Sequence, residues 1–186
     1  MVEETVATGK KGPAAAAVSV PGSGHKPMPL SDIDSSVENR ISLNNGEVDR
    51  ILGGGLVEGS LVLIGGEPGI GKSTLSLQIP LHCPQLKTLY VTGEESAKQV
   101  KLRAARIGGD CSNCLIYSET LMENIIAEAR AIMPDLMVVD SVQTMFSQNV
   151  ESSPGSVTQS KETAAMLLRF AKETGVPVIL IGHITK

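Results

Sequence analysis

Apolar and polar positions fall into repeating blocks along this chain. The run LVLIGG (61–66) is short, apolar and closed by glycine, which predicts a buried strand. TLYVTGEE (88–95), CLIYSE (114–119), LMVVD (136–140) and PVILIGHI (177–184) repeat that pattern and predict further strands. The segments between them have helical character. One helix starts at Lys72 and runs to about Ile79, where Pro80 and Pro84 should bend or stop it, because proline has no N–H to donate. SAKQVKLRAARIG (96–108) reads as a helix stopped at Gly108 and Gly109, and MENIIAEARAIM (122–133) as one closed by Pro134. ETAAMLLRFAKETG (162–175) reads as another, and NNGEVDRILGGG (44–55) begins with a short amphipathic helix ended by its glycines. Strands alternating with helices predict an α/β fold, a mostly parallel sheet with helices on both faces.

Two stretches stand outside that alternation. Residues 1–28 are rich in Gly, Pro, Ala and Ser without apolar periodicity and read as a flexible N-terminal linker, leaving 29–186 for the core. MFSQNVESSPGSVTQS (145–160) reads as a polar loop long enough to carry a function.

Composition narrows the classes. No apolar run has the ~18 residues of a membrane span, and no secretory signal pattern opens the chain, so no membrane partner is expected. The net charge of −4 makes any polyanion site local or shared between subunits, and 2% aromatic content excludes a platform of stacked rings for single strands. Three cysteines are too few for a disulfide framework, which points to a reducing, cytoplasmic setting. Cys111 and Cys114 have a C-x2-C spacing, but Cys83 alone does not complete a zinc set, so they read as thiols at the start of a strand.

The chemistry lies at the glycine-rich stretch. Gly66, Glu67, Pro68, Gly69, Ile70, Gly71, Lys72 and Ser73 match G-x4-G-K-[ST], between a predicted strand and a predicted helix. A triphosphate needs several backbone N–H groups converging on its oxygens, so the chain must curl without Cβ atoms in the way, as Gly69 and Gly71 allow. The helix then directs its positive end at the same anion. Lys72 is expected to reach the β- and γ-phosphates, Ser73 to ligate Mg²⁺ and Thr74 to donate to the α-phosphate of ATP. Asp140, closing LMVVD, is the second expected Mg²⁺ residue, at the strand edge where open α/β sheets place their sites. Taken alone it reads equally as an aspartate opening a turn. Glu94 or Glu95 can orient and deprotonate water. Glu94 is favoured as nearer the strand end, and either also suits the start of the next helix. His183, followed by Thr185 and Lys186, reads as a sensor of the γ-phosphate or as a structural histidine.

These residues resemble a known group. DRILGGGLVEGSLVLIGGEPGIGKSTL, LYVTGEES, DLMVVDSVQT, GSVTQSKE and GHITK are similar, in order, to the RecA-type core of the bacterial RadA/Sms DNA-repair ATPases, over roughly residues 30–186. The resemblance implies a RecA-like core within a hexameric ATPase that binds single-stranded DNA and promotes branch migration during recombinational repair. It implies nucleotide held between neighbouring subunits, with a basic group donated across the interface. The family's four-cysteine zinc finger, its KNRFG segment and its Lon-protease-like domain have no counterpart in this sequence. An ATPase core with slow turnover is therefore expected. Lys161 stands where the family usually has arginine, and the loop at 145–160 corresponds to one facing the DNA channel. Lys98, Lys101 and Arg106 share one side of a predicted helix, either a solvated face or a contact to DNA or a neighbour. The rival reading is a nucleotide-dependent switch of the KaiC type that binds proteins. A small phosphate-loop kinase fits less well because no acceptor lid is evident.

Overall fold

The computed structural model describes residues 29–32 and 39–183, so the expected linker and the Thr185 and Lys186 sensor partners lie outside the described residues. Two units are distinguished, Met1–Ser36 and Val37–Lys186. The first shows one exposed 3-10 turn, Leu30–Asp32. The second holds every other element.

Its framework is a five-stranded sheet built from β3 (Leu61–Gly66), β4 (Thr88–Thr92), β5 (Cys114–Ser118), β6 (Leu136–Asp140) and β7 (Val178–His183). The order is β3-β7-β6-β4-β5 and every pairing is parallel. A small antiparallel pair, β1 (Arg40–Ile41) with β2 (Leu56–Val57), was not expected. Strands of two residues leave no readable periodicity.

Side-chain alternation divides the core into two. Leu89, Val91, Met137, Val139, Val178 and Leu180 face one side, packed on Met122 and Ile125 of α4 (Met122–Ile132) and Leu167 and Phe170 of α5 (Val157–Thr174). Tyr90, Val138, Ile179 and Ile181 face the other, against Leu77 and Ile79 of α2 (Lys72–His82) and Val100 and Ala104 of α3 (Ala97–Ile107). Both faces of the sheet are thus covered, which is why the central strands read as continuous apolar runs. Each such aliphatic side chain contributes about 1.5–3 kcal/mol by leaving water. A further short helix, α1 (Gly46–Ile51), is capped by the Asn45 side chain.

Three expectations change. Pro80 does not end its helix: α2 continues to His82 and stops at Cys83, just before Pro84. The proline leaves the Ser76 carbonyl without its usual amide, but burial of Leu77, Ile79, Pro80 and Leu81 outweighs that loss. Helix α5 begins at Val157, not at 162, with the Ser156 hydroxyl accepting from the Gln159 N–H. Its first buried positions are Gln159 and Thr163, so the inward stripe starts with polar residues and carried no hydrophobic signal. The loop after β6 therefore covers 141–156, and β4 stops at Thr92 rather than at 95. No helix among the described residues is long and apolar enough to cross a membrane.

Candidate functional site

The register of the sheet brings the candidate residues to one rim. Gly66 pairs with His183 and Thr92 with Asp140, while Val139 pairs with Leu180, so β3 and β7 end together two residues beyond the shared end of β6 and β4. The phosphate loop leaves that rim from β3 and enters α2.

Gly69 and Gly71 have φ of 82° and 95°, in the left-handed region that a Cβ disfavours. Gly71 occupies the N-cap of α2 and supplies no side-chain cap, so the first amides of that helix have no capping side chain. Gly69, Gly71, Lys72, Ser73, Thr74 and His183 line a cleft of about 190 Å³ at this point. Lys72 is 6% exposed, and its ammonium donates to the carbonyls of Gly66 and Glu67 at 2.8 and 2.7 Å. Glu67, Pro68 and Ile70 form the exposed crest of the loop. A larger cleft of about 350 Å³ opens at the opposite strand ends, lined by residues such as Met133, Asp135 and Pro177. It is lined by the C-terminal caps of α4 and α5, Met133 and Gly175, rather than by a helix start, and holds no buried cation, so chemistry rather than size selects the smaller one.

Asp140 is buried at the end of β6, and its Oδ2 accepts a 2.8 Å bond from the Tyr90 hydroxyl. No other hydrogen bond reaches its carboxylate among the described residues. Burial, and then the Asp140 charge, push the Tyr90 hydroxyl far above the ordinary phenol range, so it remains a donor. Glu94 follows β4 and turns toward β6 and β7. Its Oε1 accepts from Ser141 Oγ at 2.7 Å and lies 3.4 Å from His183 Nε2. Glu95 turns away, pairing with Arg103 of α3 at 3.1 Å, while its N–H donates to Thr92 Oγ1. The two neighbouring acids thus have different surroundings: Glu94 is at the rim cluster and Glu95 at the helix. The His183 backbone is clasped by Gln143, whose amide donates to the His183 carbonyl at 3.0 Å and accepts from its N–H at 3.2 Å.

Sequence reasoning passed over Tyr90, Ser141, Gln143 and Arg103. A signal existed for Tyr90, since a tyrosine inside a buried strand must satisfy its hydroxyl. The loop at 141–156 is tied down. Buried Gln159 accepts from the Ser147 N–H and donates to the carbonyls of Ser147, Val150 and Ser152. Glu123 accepts from the Ser147 hydroxyl, the Gln148 N–H and the Asn149 amide. Lys161 stands exposed within α5, and Lys98, Lys101 and Arg106 are exposed on α3, where Lys101 also reaches Cys111 Sγ at 3.3 Å.

The residues present fit a magnesium triphosphate. The Ser73 and Thr74 hydroxyls make no protein hydrogen bond among the described residues, the start of α2 is uncapped, and Asp140 keeps one oxygen unpaired. Such a set suits an ion held by a few protein oxygens, water and phosphate. The AAA domain family matches residues 27–186. The chain belongs to that family. Over this AAA domain the DNA repair protein RadA of Escherichia coli is 52% identical across 162 residues, 87% of this chain and 35% of that protein. The DNA repair protein RadA of Streptococcus pneumoniae is 47% identical across 172 residues, 92% of this chain and 41% of that protein. The chain thus spans well under half the length of the curated relatives it matches. A crystal structure of a KaiC-like protein from Pyrococcus horikoshii shares the fold of this AAA domain, with a TM-score of 0.65 at 22% identity over 80% of this chain and 72% of that one. The expected RecA-like phosphate-loop architecture is therefore the one observed.

Proposed function

We propose that this chain is the ATP-binding and ATP-hydrolysing core of a DNA-dependent ATPase of recombinational repair, acting on single-stranded DNA and recombination intermediates. One observation carries the catalytic part: the phosphate loop, Asp140 and the Glu94–Ser141–His183 group meet at one sheet rim. The DNA part is supported by the name shared by relatives that are 52% and 47% identical. Residues 29–186 form the core, 1–28 serve as a linker, and the working state is a cytoplasmic homo-oligomer, a hexamer with nucleotide between subunits.

Each residue has a role in this reading. The amides of 69–74 cradle the phosphates, and Lys72 exchanges its carbonyl partners for β- and γ-phosphate oxygens. Ser73 and Asp140 hold Mg²⁺, which when bound offsets charge on the phosphates. Glu94 accepts the proton of the attacking water, with Ser141 fixing its carboxylate. His183 stands between Glu94 and the phosphate-loop cleft, placed to sense the γ-phosphate through its ring and to report to Gln143 through its backbone. Glu95 acts on the helix side through Arg103. No cation from a neighbour is present in a single chain, so turnover is slow, since such a cation is worth about 10³–10⁵ in rate.

The test is ATP turnover by the longer protein with and without single-stranded DNA, alongside binding of ATP with Mg²⁺ by this chain. Binding here with stimulation by DNA there is the expected result. Binding without stimulation would favour a KaiC-like switch, and absence of binding would end the reading.

A further inference from the structure

Tyr90 lies at the centre of β4 and is fully buried, yet three polar groups converge on its hydroxyl. Asp140 Oδ2 lies at 2.8 Å, Ser76 Oγ at 3.3 Å and Arg103 Nη2 at 3.4 Å. The hydroxyl has one proton to give. The shortest contact and the only full negative charge among the three assign it to Asp140, leaving the phenol oxygen to accept from Arg103. Ser76 is itself buried, and its hydroxyl donates to the Ser73 backbone carbonyl at 3.1 Å, so it packs beside the phenol oxygen with no proton left to share.

We propose that Tyr90 is a positioning residue: by donating to one oxygen of Asp140 it fixes the plane of that carboxylate and leaves a single oxygen for the metal shell. The inference rests on the reading of Asp140 as a metal-holding group. An aspartate without that bond would rotate about its last torsion and lose order when an ion approached. A carboxylate pinned at one oxygen presents the other in a set direction, the part that outer-shell partners commonly play around metals. Arg103 completes the arrangement. Its Nη2 donates to the same hydroxyl while its Nη1 pairs with Glu95. Its buried Nε has no partner. The guanidinium thus ties the phenol, and through it Asp140, to helix α3.

The experiment follows binding, not turnover. Mn²⁺ association with the chain in the presence of a β,γ-imido ATP analogue is measured by electron paramagnetic resonance, and ADP association in excess chelator by calorimetry. Tyr90→Phe keeps the ring and removes only the hydroxyl. It should weaken Mn²⁺ binding roughly tenfold or more while ADP affinity without metal stays within about twofold. Unchanged Mn²⁺ affinity overturns the proposal. Equal losses in both assays overturn it too, because they would reveal a packing role. If Tyr90→Phe does not fold, Tyr90→Met takes over the test, since it also removes the hydroxyl and its flexible side chain can fill the space of the ring. The same selective loss of Mn²⁺ affinity with ADP unchanged is expected, and unchanged Mn²⁺ affinity would overturn the proposal. If the parent chain shows nucleotide-dependent Mn²⁺ binding and Asp140→Asn binds Mn²⁺ equally well, the underlying assignment of Asp140 fails instead.

Discussion

At the scale of single residues, adjacency in sequence did not mean similarity of surroundings. Glu94 and Glu95 are neighbours, but the bend that follows β4 gives them different partners. One meets Ser141 and His183, and the other meets Arg103. Glu94→Gln should therefore leave nucleotide binding intact and lower ATP turnover by roughly 10²–10⁴, the usual worth of a general base. Calorimetry and phosphate release measure the two quantities, and normal turnover would move the role to another group. Lys72→Ala should remove detectable nucleotide binding if the cation now held by the Gly66 and Glu67 carbonyls has the phosphate-facing role proposed for it. Its melting temperature should change little, since only two loop carbonyls lose their donor and water can replace it. Affinity equal to the parent's would refute the phosphate-loop assignment.

At the scale of elements, polar contacts set ends and loops that apolar pattern left open. Glu119 accepts from the Asn124 side chain and from the N–H groups of Leu121 and Thr120 at the start of α4. These bonds, the Asn124 amide foremost, hold its carboxyl below the ordinary range. A lowered folded value means the stabilisation is complete above about 4.3, the ordinary glutamate value, and disappears as pH falls through the folded one. Glu119→Gln should melt below the parent at pH 7, with the gap closing under about pH 4. A gap that widened in acid would contradict the sign. Gln159 is the larger case, with its side chain fixing three residues of the loop after β6. Gln159→Leu should cost about 2–4 kcal/mol, because several buried backbone groups lose partners, and should expose 147–152 to limited proteolysis. An unaltered digestion pattern would show that Glu123 alone secures the loop. The start of α5 escaped the sequence for the same reason. A helix whose inward positions begin with Gln159 and Thr163 buries hydrogen bonds before it buries hydrocarbon.

At the scale of the whole molecule, strand β3 is an edge of the sheet among the described residues, with Leu63 63% exposed and Ile51, in the same cleft, 79% exposed. Leu43, Val48, Ile51, Val62, Leu63 and Ile79 line an apolar cleft of about 320 Å³ there. An uncovered strand edge with apolar side chains favours association. Light scattering should show concentration-dependent self-association of this chain, reduced by Leu63→Glu. A monomer at all concentrations would show the edge to be harmless. The same scale brings Asp140, Glu94 and the glycine-rich loop, from chain segments far apart, to one edge of the sheet, because strand order places β3, β7, β6 and β4 side by side.

The amino-acid order by itself determined the glycine-curled loop, the alternation of buried strands and helices, and the place of Asp140 at the end of its strand. Each of these depends on local chemistry: glycine at positive φ, proline without an N–H, and runs of aliphatic side chains. Only the tertiary structure decided which glutamate joins Ser141, that Tyr90 grips Asp140, that Gln143 clasps His183, and that Pro80 remains within a helix. Those outcomes depend on groups distant in the chain being brought within about 3 Å of one another, the range over which a hydrogen bond forms.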